Sequence, residues 1–229
     1  MKSKKITDQF GATVRGDSTM RQVSLVFTGD EFREGLPVIA EVLKSKGVKA
    51  SFFVTGRFLD DKKSARIIGR LIRQGHYIGP HSDQHLLYMP WEDRKKLLVT
   101  KDEFVKDIKR NIDRIEELGG KKIDKFIPPY EWYNAVIVEW AKELGLETYN
   151  FTPGLRTATD YTYPEMGDRY WPTARILDQV YTYEKRGGIN GYIILVHLGT
   201  DDRREDKLYN KLGELIEEIR SKNYKFVAL

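Results

Sequence analysis

The stretch YIGPHSDQH, residues 77–85, decides how the fold is interpreted, because a predicted core strand over 77–79 leads directly into a pair of histidines. If this segment is helical, side chains four residues apart project from one face, so His81 and His85 could bind the same ion. Neutral imidazole is a common ligand of zinc and its first-row neighbours. The spacing alone leaves open whether this is a metal site or two surface histidines, but two of the four histidines of the chain lie here.

Strands alternate with helices outward from this stretch. In the N-terminal half, apolar periodicity predicts strands over 11–16, 22–28, 50–56 and 77–79, and helices over 36–47 and 63–74. The first two strands are predicted to pair as a hairpin across a polar turn. Strands and helices that alternate in this way are typical of parallel βα units, whose sites collect where strands end in loops.

The C-terminal half continues the alternation. Helices are predicted over 92–118, 134–144, 175–185 and 207–221, and strands over 126–130, 147–151, 191–197 and 224–229. A polar, aromatic-rich loop over 152–172 is long enough to be functional or mobile. Roughly seven or eight strands, most of them paired with a helix, predict an α/β barrel, complete or incomplete. The length favours a single domain over residues 1–229.

Composition excludes several classes of protein. The chain has 40% hydrophobic and 32% charged residues, and no apolar run reaches the roughly 18 residues of a membrane span. Zero cysteines exclude disulfides, thiolate ligands and a cysteine nucleophile. The net charge of +5 is spread among acidic residues without a basic stripe, so nucleic acid is not an expected partner. Oligomeric state and compartment are not decided by composition.

The N-terminus has the positive charge of an export signal but no apolar segment after it, so no such signal is expected over residues 1–7. A mature form whose signal has been replaced by an initiator methionine would look the same. A periplasmic or secreted location is expected in that case.

Four positions at predicted strand ends carry chemically useful side chains: Asp30, the pair His81 and His85, Tyr130, and His197. The ends of parallel strands face one side of the molecule, so these residues are expected to meet. His197 follows the most apolar strand of the chain. It is either a core imidazole bonded to backbone or a catalytic acid or base, and the second interpretation is favoured because histidine titrates near neutrality.

These residues resemble the motifs of the polysaccharide deacetylases of the NodB-homology group, carbohydrate esterase family 4, in order from about residue 22 to 229. The family's Thr-Phe-Asp-Asp-Gly is similar to residues 26–30, Val-Phe-Thr-Gly-Asp, and its His-Ser/Thr-x-x-His is intact at 81–85. Its Arg-Pro-Pro-Tyr-Gly corresponds to 127–131, Ile-Pro-Pro-Tyr-Glu, and its Leu-x-His to 195–197. The Asp-Trp motif corresponds to Asn150 and Phe151.

The resemblance implies a distorted, NodB-like (β/α) barrel that removes N- or O-linked acetyl groups from a carbohydrate. It implies a divalent metal, zinc first with cobalt or nickel as alternatives, held by Asp30, His81 and His85. It also implies that a metal-activated water attacks the acetyl carbonyl, that the Tyr130 N–H helps hold the oxyanion, and that His197 protonates the leaving group. Substrate contacts are expected from Pro129, Trp132 and Leu195, with Leu195 lining the acetyl pocket.

The chain departs from the family at two points. The family's general base and its metal-binding Asp align with Thr28 and Gly29, so we expect a turn shifted by one residue in which Asp30 binds the metal and Glu31 is the base. The family's motif-three Arg and motif-four Asp are Ile127 and Asn150, so both charges are absent together. Losing both avoids leaving one buried charge without its partner.

Two alternatives to deacetylation stay open. One is a hydrolase of non-peptide C–N bonds in amides or imides, which would share the metal site. The other is a carbohydrate-binding pseudoenzyme that has lost its base, which Thr28 favours and which His197 opposes.

Overall fold

A computed structural model describes residues 4–229, so the first three residues of the segment considered for an export signal lie outside it. Its centre is a parallel sheet in the order β5 (Tyr77–Pro80), β4 (Ser51–Val54), β3 (Gln22–Gly29) and β8 (Ile193–His197). β9 (Lys225–Phe226) extends this sheet by pairing in parallel with the first residues of β3. The apolar, β-branched composition of these strands suits a sheet that is covered on both faces.

The remaining strands bend the sheet toward a barrel. β6 (Lys125–Phe126) pairs in parallel with β7 (Glu147–Thr148), and β1 (Ile6–Thr7) pairs antiparallel with β2 (Thr13–Arg15). Single contacts connect these pairs to the central sheet: the Ile127 N–H donates to the Pro80 carbonyl at 3.4 Å, and isolated bridges join β2 to Tyr149 and Tyr192. The predicted distorted (β/α) barrel is therefore confirmed, with its far wall held by isolated bridges in place of continuous ladders.

Seven α-helices occur in residues 4–229, and most connect one strand to the next on the outside of the barrel. They are α1 (Leu36–Lys46), α2 (Gly56–Asp60), α3 (Lys62–Arg73), α4 (Lys101–Glu117), α5 (Ala135–Glu143), α6 (Thr173–Gly187) and α7 (Leu212–Ser221). None of them has the length and apolar character needed to span a bilayer.

Alternation along the strands divides the core into an outer and an inner layer. Phe52 on β4 packs outward with Leu25 and Phe27 against the helices, whereas its neighbour Phe53 points inward and packs with Val26. Successive side chains of a strand point to opposite faces, so an apolar strand can fill both layers. The inner layer forms the floor beneath the ends of the strands.

Two predicted elements differ from the structure. The helix predicted from residue 92 begins only at Lys101, because Thr100 and Glu103 form a capping box: the Thr100 N–H donates to Glu103 Oε2 at 2.7 Å, and the Glu103 N–H donates to Thr100 Oγ1 at 3.3 Å. The predicted hairpin of 11–16 with 22–28 is wrong, because β2 pairs with β1 while β3 lies between β4 and β8.

His76 is a buried histidine, 7% exposed, that precedes β5. Its Nδ1 accepts a hydrogen bond from the Ala50 N–H at 3.2 Å, and its ring packs edge-on against Phe52. Burial, helped by the charge of Lys49, lowers the pKa of His76 to about 4. Protonation at Nδ1 would remove the acceptor, so the native state holds this imidazole neutral.

We expect His76→Asn to weaken the acid sensitivity of the fold. The pKa of His76 is lower in the folded chain than in the unfolded chain, so the unfolded chain takes up the proton first. The free energy of unfolding therefore falls as the pH drops from about 6.5 toward 4, by up to about 3 kcal/mol. Asparagine cannot take up this proton but can still accept from Ala50. Urea unfolding at pH 7 and pH 4.5 checks this, since contributions from the other histidines occur in both proteins. An equal loss in wild type and variant would contradict it.

Candidate active site

A cleft of about 730 Å³ opens at the carboxyl ends of the central strands. β3 and β8 pair with Thr28 opposite His197, and β4 and β5 end beside them. This register places loops from distant parts of the chain around one opening. The cleft is lined by Thr28, Gly29, Asp30, Glu31, Phe32, Arg57, His81, His85, Trp91, Tyr130, Glu131, Tyr161, Arg169, His197 and Gly199.

Asp30 lies at the end of β3 and is held by three bonds from two neighbours, Thr55 and Arg57. Its Oδ1 accepts from Thr55 Oγ1 at 2.8 Å and from Arg57 Nε at 3.1 Å, and Arg57 Nη2 bonds to Oδ2. The Arg57 guanidinium therefore engages both carboxylate oxygens, and the bond to Asp30 raises the pKa of Arg57. This two-point contact fixes the orientation of the carboxylate.

His81 and His85 meet across an irregular turn. The helix considered for this segment does not form: residues after β5 are non-helical, and Ser82 and His85 have φ values of 71° and 55°. The two rings still lie with centroids 5.1 Å apart. His81 Nδ1 donates to the Ile127 carbonyl at 2.7 Å, and His85 Nδ1 lies 3.2 Å from Asp30 Oδ2.

Both imidazoles are held neutral. Burial lowers the pKa of His81 well below its usual value, and the nearby His85 acts in the same direction. Burial also lowers the pKa of His85, to about 4, against the opposing charge of Asp30. Because the Nδ1 of His81 is occupied by a backbone carbonyl, its Nε2 carries the free lone pair, which is the arrangement of a metal-ligating histidine.

His197 forms a two-point contact with Asp160, which is 1% exposed. The His197 Nδ1–H donates to Asp160 Oδ1 at 2.5 Å, and the His197 backbone N–H donates to Asp160 Oδ2 at 3.0 Å. Burial disfavours the imidazolium, but the charges of Asp160 and Glu131 outweigh it and raise the pKa of His197. The contact at Nδ1 leaves Nε2 as the atom that can exchange a proton in the cleft.

Tyr130 and Glu131 form a strained turn at the rim. Both have left-handed backbones, with φ of 60° and 54°, in the 3₁₀ turn Pro129–Glu131. The turn is fixed by the Glu131 N–H, which donates to the Pro128 carbonyl at 3.0 Å, and by Asn150 Nδ2, which donates to the Glu131 carbonyl at 3.3 Å. Burial and the charge of Asp160 raise the pKa of Glu131 to about 7, against the opposing effect of His197.

Of the three predicted substrate contacts, none lines the cleft. Leu195 is fully buried on β8, Pro129 is buried beneath the turn, and Trp132 lies behind Trp91, with the Arg94 guanidinium 3.5 Å from its ring centroid. The most exposed aromatic side chain that lines the cleft is Trp91, at 56%. The roles of these residues toward a substrate stay predictions.

The donors at the end of β3 and β5 suit a divalent cation in kind: two neutral imidazoles and one ionised carboxylate. In residues 4–229 no three His, Asp or Glu side chains are arranged around one point, and Arg57 engages the Asp30 oxygens. The donor chemistry therefore fits a metal ion that either shares Asp30 with Arg57 or replaces Arg57 as the partner of Asp30.

The sequence profile of the polysaccharide deacetylase family matches residues 16–149, more than half of the chain. The chain belongs to this family. The resemblance seen in the sequence motifs is therefore confirmed. The assignment of residues 1–229 to one catalytic domain stays a prediction.

Relatives and solved structures agree with this membership. The peptidoglycan-N-acetylmuramic acid deacetylase PdaA of Bacillus subtilis is 22% identical over 225 residues, which cover 98% of this chain and 76% of that protein. The chitin deacetylase of Colletotrichum lindemuthianum superposes with a TM-score of 0.74 at 20% identity, covering 97% of this chain and 91% of the other. A pseudoenzyme of the CE4 family from Bacillus anthracis superposes with a TM-score of 0.71 at 22% identity, covering 95% and 67%.

Four residues in or beside the cleft of this polysaccharide deacetylase family member were not predicted from the sequence. Arg57, Trp91 and Glu131 line the cleft, and Asp160 contacts His197. From the sequence, the motif-four carboxylate was expected to be absent, because Asn150 stands at its position. The structure corrects this expectation: Asp160, in the loop over 152–172, supplies a carboxylate to His197. The only available signal was an acidic residue within an aromatic loop. For Glu131 the signal was its place in the motif, because the family carries glycine there. A non-glycine residue at positive φ is unusual.

We expect Asp160→Asn to lower the pKa of His197, because the carboxylate partner is lost while the burial remains. NMR titration of the imidazole measures this directly. Tyr161→Phe is the matched control: the Tyr161 ring packs edge-on against His197, but its hydroxyl accepts from Arg169 at 3.0 Å, so this variant should keep the wild-type pKa. An unchanged pKa of His197 in Asp160→Asn would contradict the role of Asp160 in raising it.

Proposed function

We propose that this protein removes acetyl groups from a carbohydrate by hydrolysis. One observation carries the proposal: His197, held by the buried carboxylate of Asp160, lines the same cleft as Asp30, His81 and His85. Membership of the polysaccharide deacetylase family supports the reaction class. A proton donor on one side and a set of metal-type ligands on the other suit the hydrolysis of an acetyl amide or ester.

A divalent cation, zinc first with cobalt or nickel as alternatives, would be held by Asp30, His81 and His85. When bound, such an ion polarises the acetyl carbonyl and lowers the pKa of water. The bond from His81 Nδ1 to Ile127 fixes the ring that would present Nε2. Tyr130 sits beside His85, with ring centroids 4.3 Å apart, and its backbone N–H is the proposed donor to the oxyanion.

His197 is the proposed general acid. Its raised pKa favours the imidazolium near neutrality, and Asp160 fixes the ring so that Nε2 delivers the proton to the leaving nitrogen or oxygen. The imidazolium form is the one that donates the proton. Activity is therefore lost as the pH rises through the pKa of His197.

Exposed aromatic faces at the cleft support a sugar substrate. Trp91, Tyr130 and Tyr161 are 56%, 42% and 40% exposed and line the opening, and flat rings of this kind pack against the apolar faces of sugars. Relatives named as peptidoglycan deacetylases support a cell-wall glycan as substrate and a periplasmic or secreted location.

A carbohydrate-binding pseudoenzyme is the second candidate. Two observations favour it: Thr28 stands where the family carries its base, and Arg57 engages both oxygens of the proposed ligand Asp30. The likeness to a CE4-family pseudoenzyme is consistent with it. The Asp160–His197 pair argues for catalysis, because glycan binding alone does not require a proton donor oriented by a buried carboxylate.

Acetate release tests the two candidates. The protein, with zinc or cobalt added, is assayed on N-acetylated and O-acetylated glycans, including peptidoglycan and chitin oligomers. We expect turnover by wild type and a loss of about 10²–10⁴-fold in His197→Ala, as for removal of a general acid. Equal background in both proteins would leave glycan binding as the surviving function.

Metal content tests the proposed ligands independently of turnover. We expect wild type to bind one zinc per chain by elemental analysis after dialysis, and His81→Ala or His85→Ala to lose most of it, because two donors cannot hold the ion as three do. His76→Asn is the matched control, since that histidine lies outside the cleft. Retention of one ion by either cleft variant would contradict the assignment.

A further inference from the structure

We propose that Glu131 is the catalytic base of the deacetylation, in place of the carboxylate that the family carries at the position of Thr28. The inference rests on the proposed function and assigns a role that Glu31 was expected to fill. Both carboxylates line the cleft, so the choice between them depends on what each one faces.

Glu131 and Glu31 act on different charged neighbours in the cleft. The charge of Glu131 acts on His197, whose pKa it helps to raise, whereas the charge of Glu31 acts on Arg57, which already engages Asp30. Glu31 is exposed, and Glu131 is partly buried. In residues 4–229 the Glu131 carboxylate makes no hydrogen bond or ion pair, so its oxygens are available to a ligand.

The backbone of Glu131 is held in a conformation that its side chain does not favour. Its φ of 54° suits glycine, the residue that the family carries at this point of the motif. A non-glycine residue persists there only where its surroundings fix it, as the bonds to Pro128 and Asn150 do here. The energetic cost of this backbone conformation is explained if the position must place a carboxylate in the cleft.

Thr28 supplies an independent sign that a ligand belongs beside this carboxylate. Its Oγ1 is buried, in a residue 1% exposed that lines the cleft, and it has no hydrogen-bond partner among the described residues. A buried hydroxyl without a partner is costly, and a water molecule at the cleft floor would satisfy it. Thr28 lies opposite His197 in the sheet, and the charge of Glu131 acts on that same histidine.

The proposed step balances without any further reactant. A water molecule gives one proton to the Glu131 carboxylate as its oxygen bonds to the acetyl carbon. The C–N or C–O bond to the sugar then breaks, and the leaving atom takes a proton from His197 Nε2. Transfer of one proton from Glu131 to His197 restores both groups, leaving acetic acid and a free amine or hydroxyl.

The test compares Glu131→Gln with Glu31→Gln, two isosteric changes in one cleft. We expect kcat to fall at least about 100-fold in Glu131→Gln and to stay within about threefold of wild type in Glu31→Gln. Zinc per chain should be unchanged in both, which separates a base from a ligand. Full turnover by Glu131→Gln, or loss of its zinc, overturns the inference, whereas absence of acetate release by wild type overturns the proposed function itself.

Glu131→Gly separates catalysis from folding. Glycine relieves the backbone strain and removes a partly buried carboxylate, so the midpoint of thermal unfolding should be no lower than that of wild type while turnover is lost. Added formate should restore part of the turnover in this variant, because a small carboxylate can enter the vacated space. A lower midpoint without rescue by formate would assign Glu131 a structural role and overturn the inference.

Discussion

The parallel register of β3 between β4 and β8 is the constraint on which the site depends. Each backbone ladder fixes where a strand ends, and pairing of Thr28 with His197 and of Gly29 with Val54 brings three strand ends to one level. A slip by one residue would turn Phe52 and Phe53 to the wrong layers and move every catalytic candidate with them. The apolar core therefore fixes the position of the polar cleft above it.

Electrostatics divides this cleft into two halves. On one side the Arg57–Asp30 pair and two neutral imidazoles form a region suited to an ion. In the other half the charges of Asp160 and Glu131 act on His197, and the pKa values of His197 and Glu131 are both raised. Environments that differ in this way give acidic and basic groups separate tasks within a few side chains of one another.

Much of this arrangement could be predicted from the sequence, and the failures have physical causes. The central strands and the helices behind them follow from periodicity, because burial on a sheet imposes it. Asp160 could not be found in this way, since it lies in a loop without periodicity, 37 positions from His197. The turn at His85 was also hidden, because spacing alone does not reveal a positive φ.

The loop that carries Asp160 is held from below by Arg204, a guanidinium with no exposed surface. It donates to the carbonyls of Thr162 and Trp171 at 2.7 and 3.1 Å and to Thr173 Oγ1 at 2.9 Å. Separating a buried cation from such partners costs much free energy, so this wall of the cleft is ordered before a ligand binds. A wall that is already ordered lowers the entropy cost of binding a ligand in the cleft, so the shape of this wall limits which ligands fit.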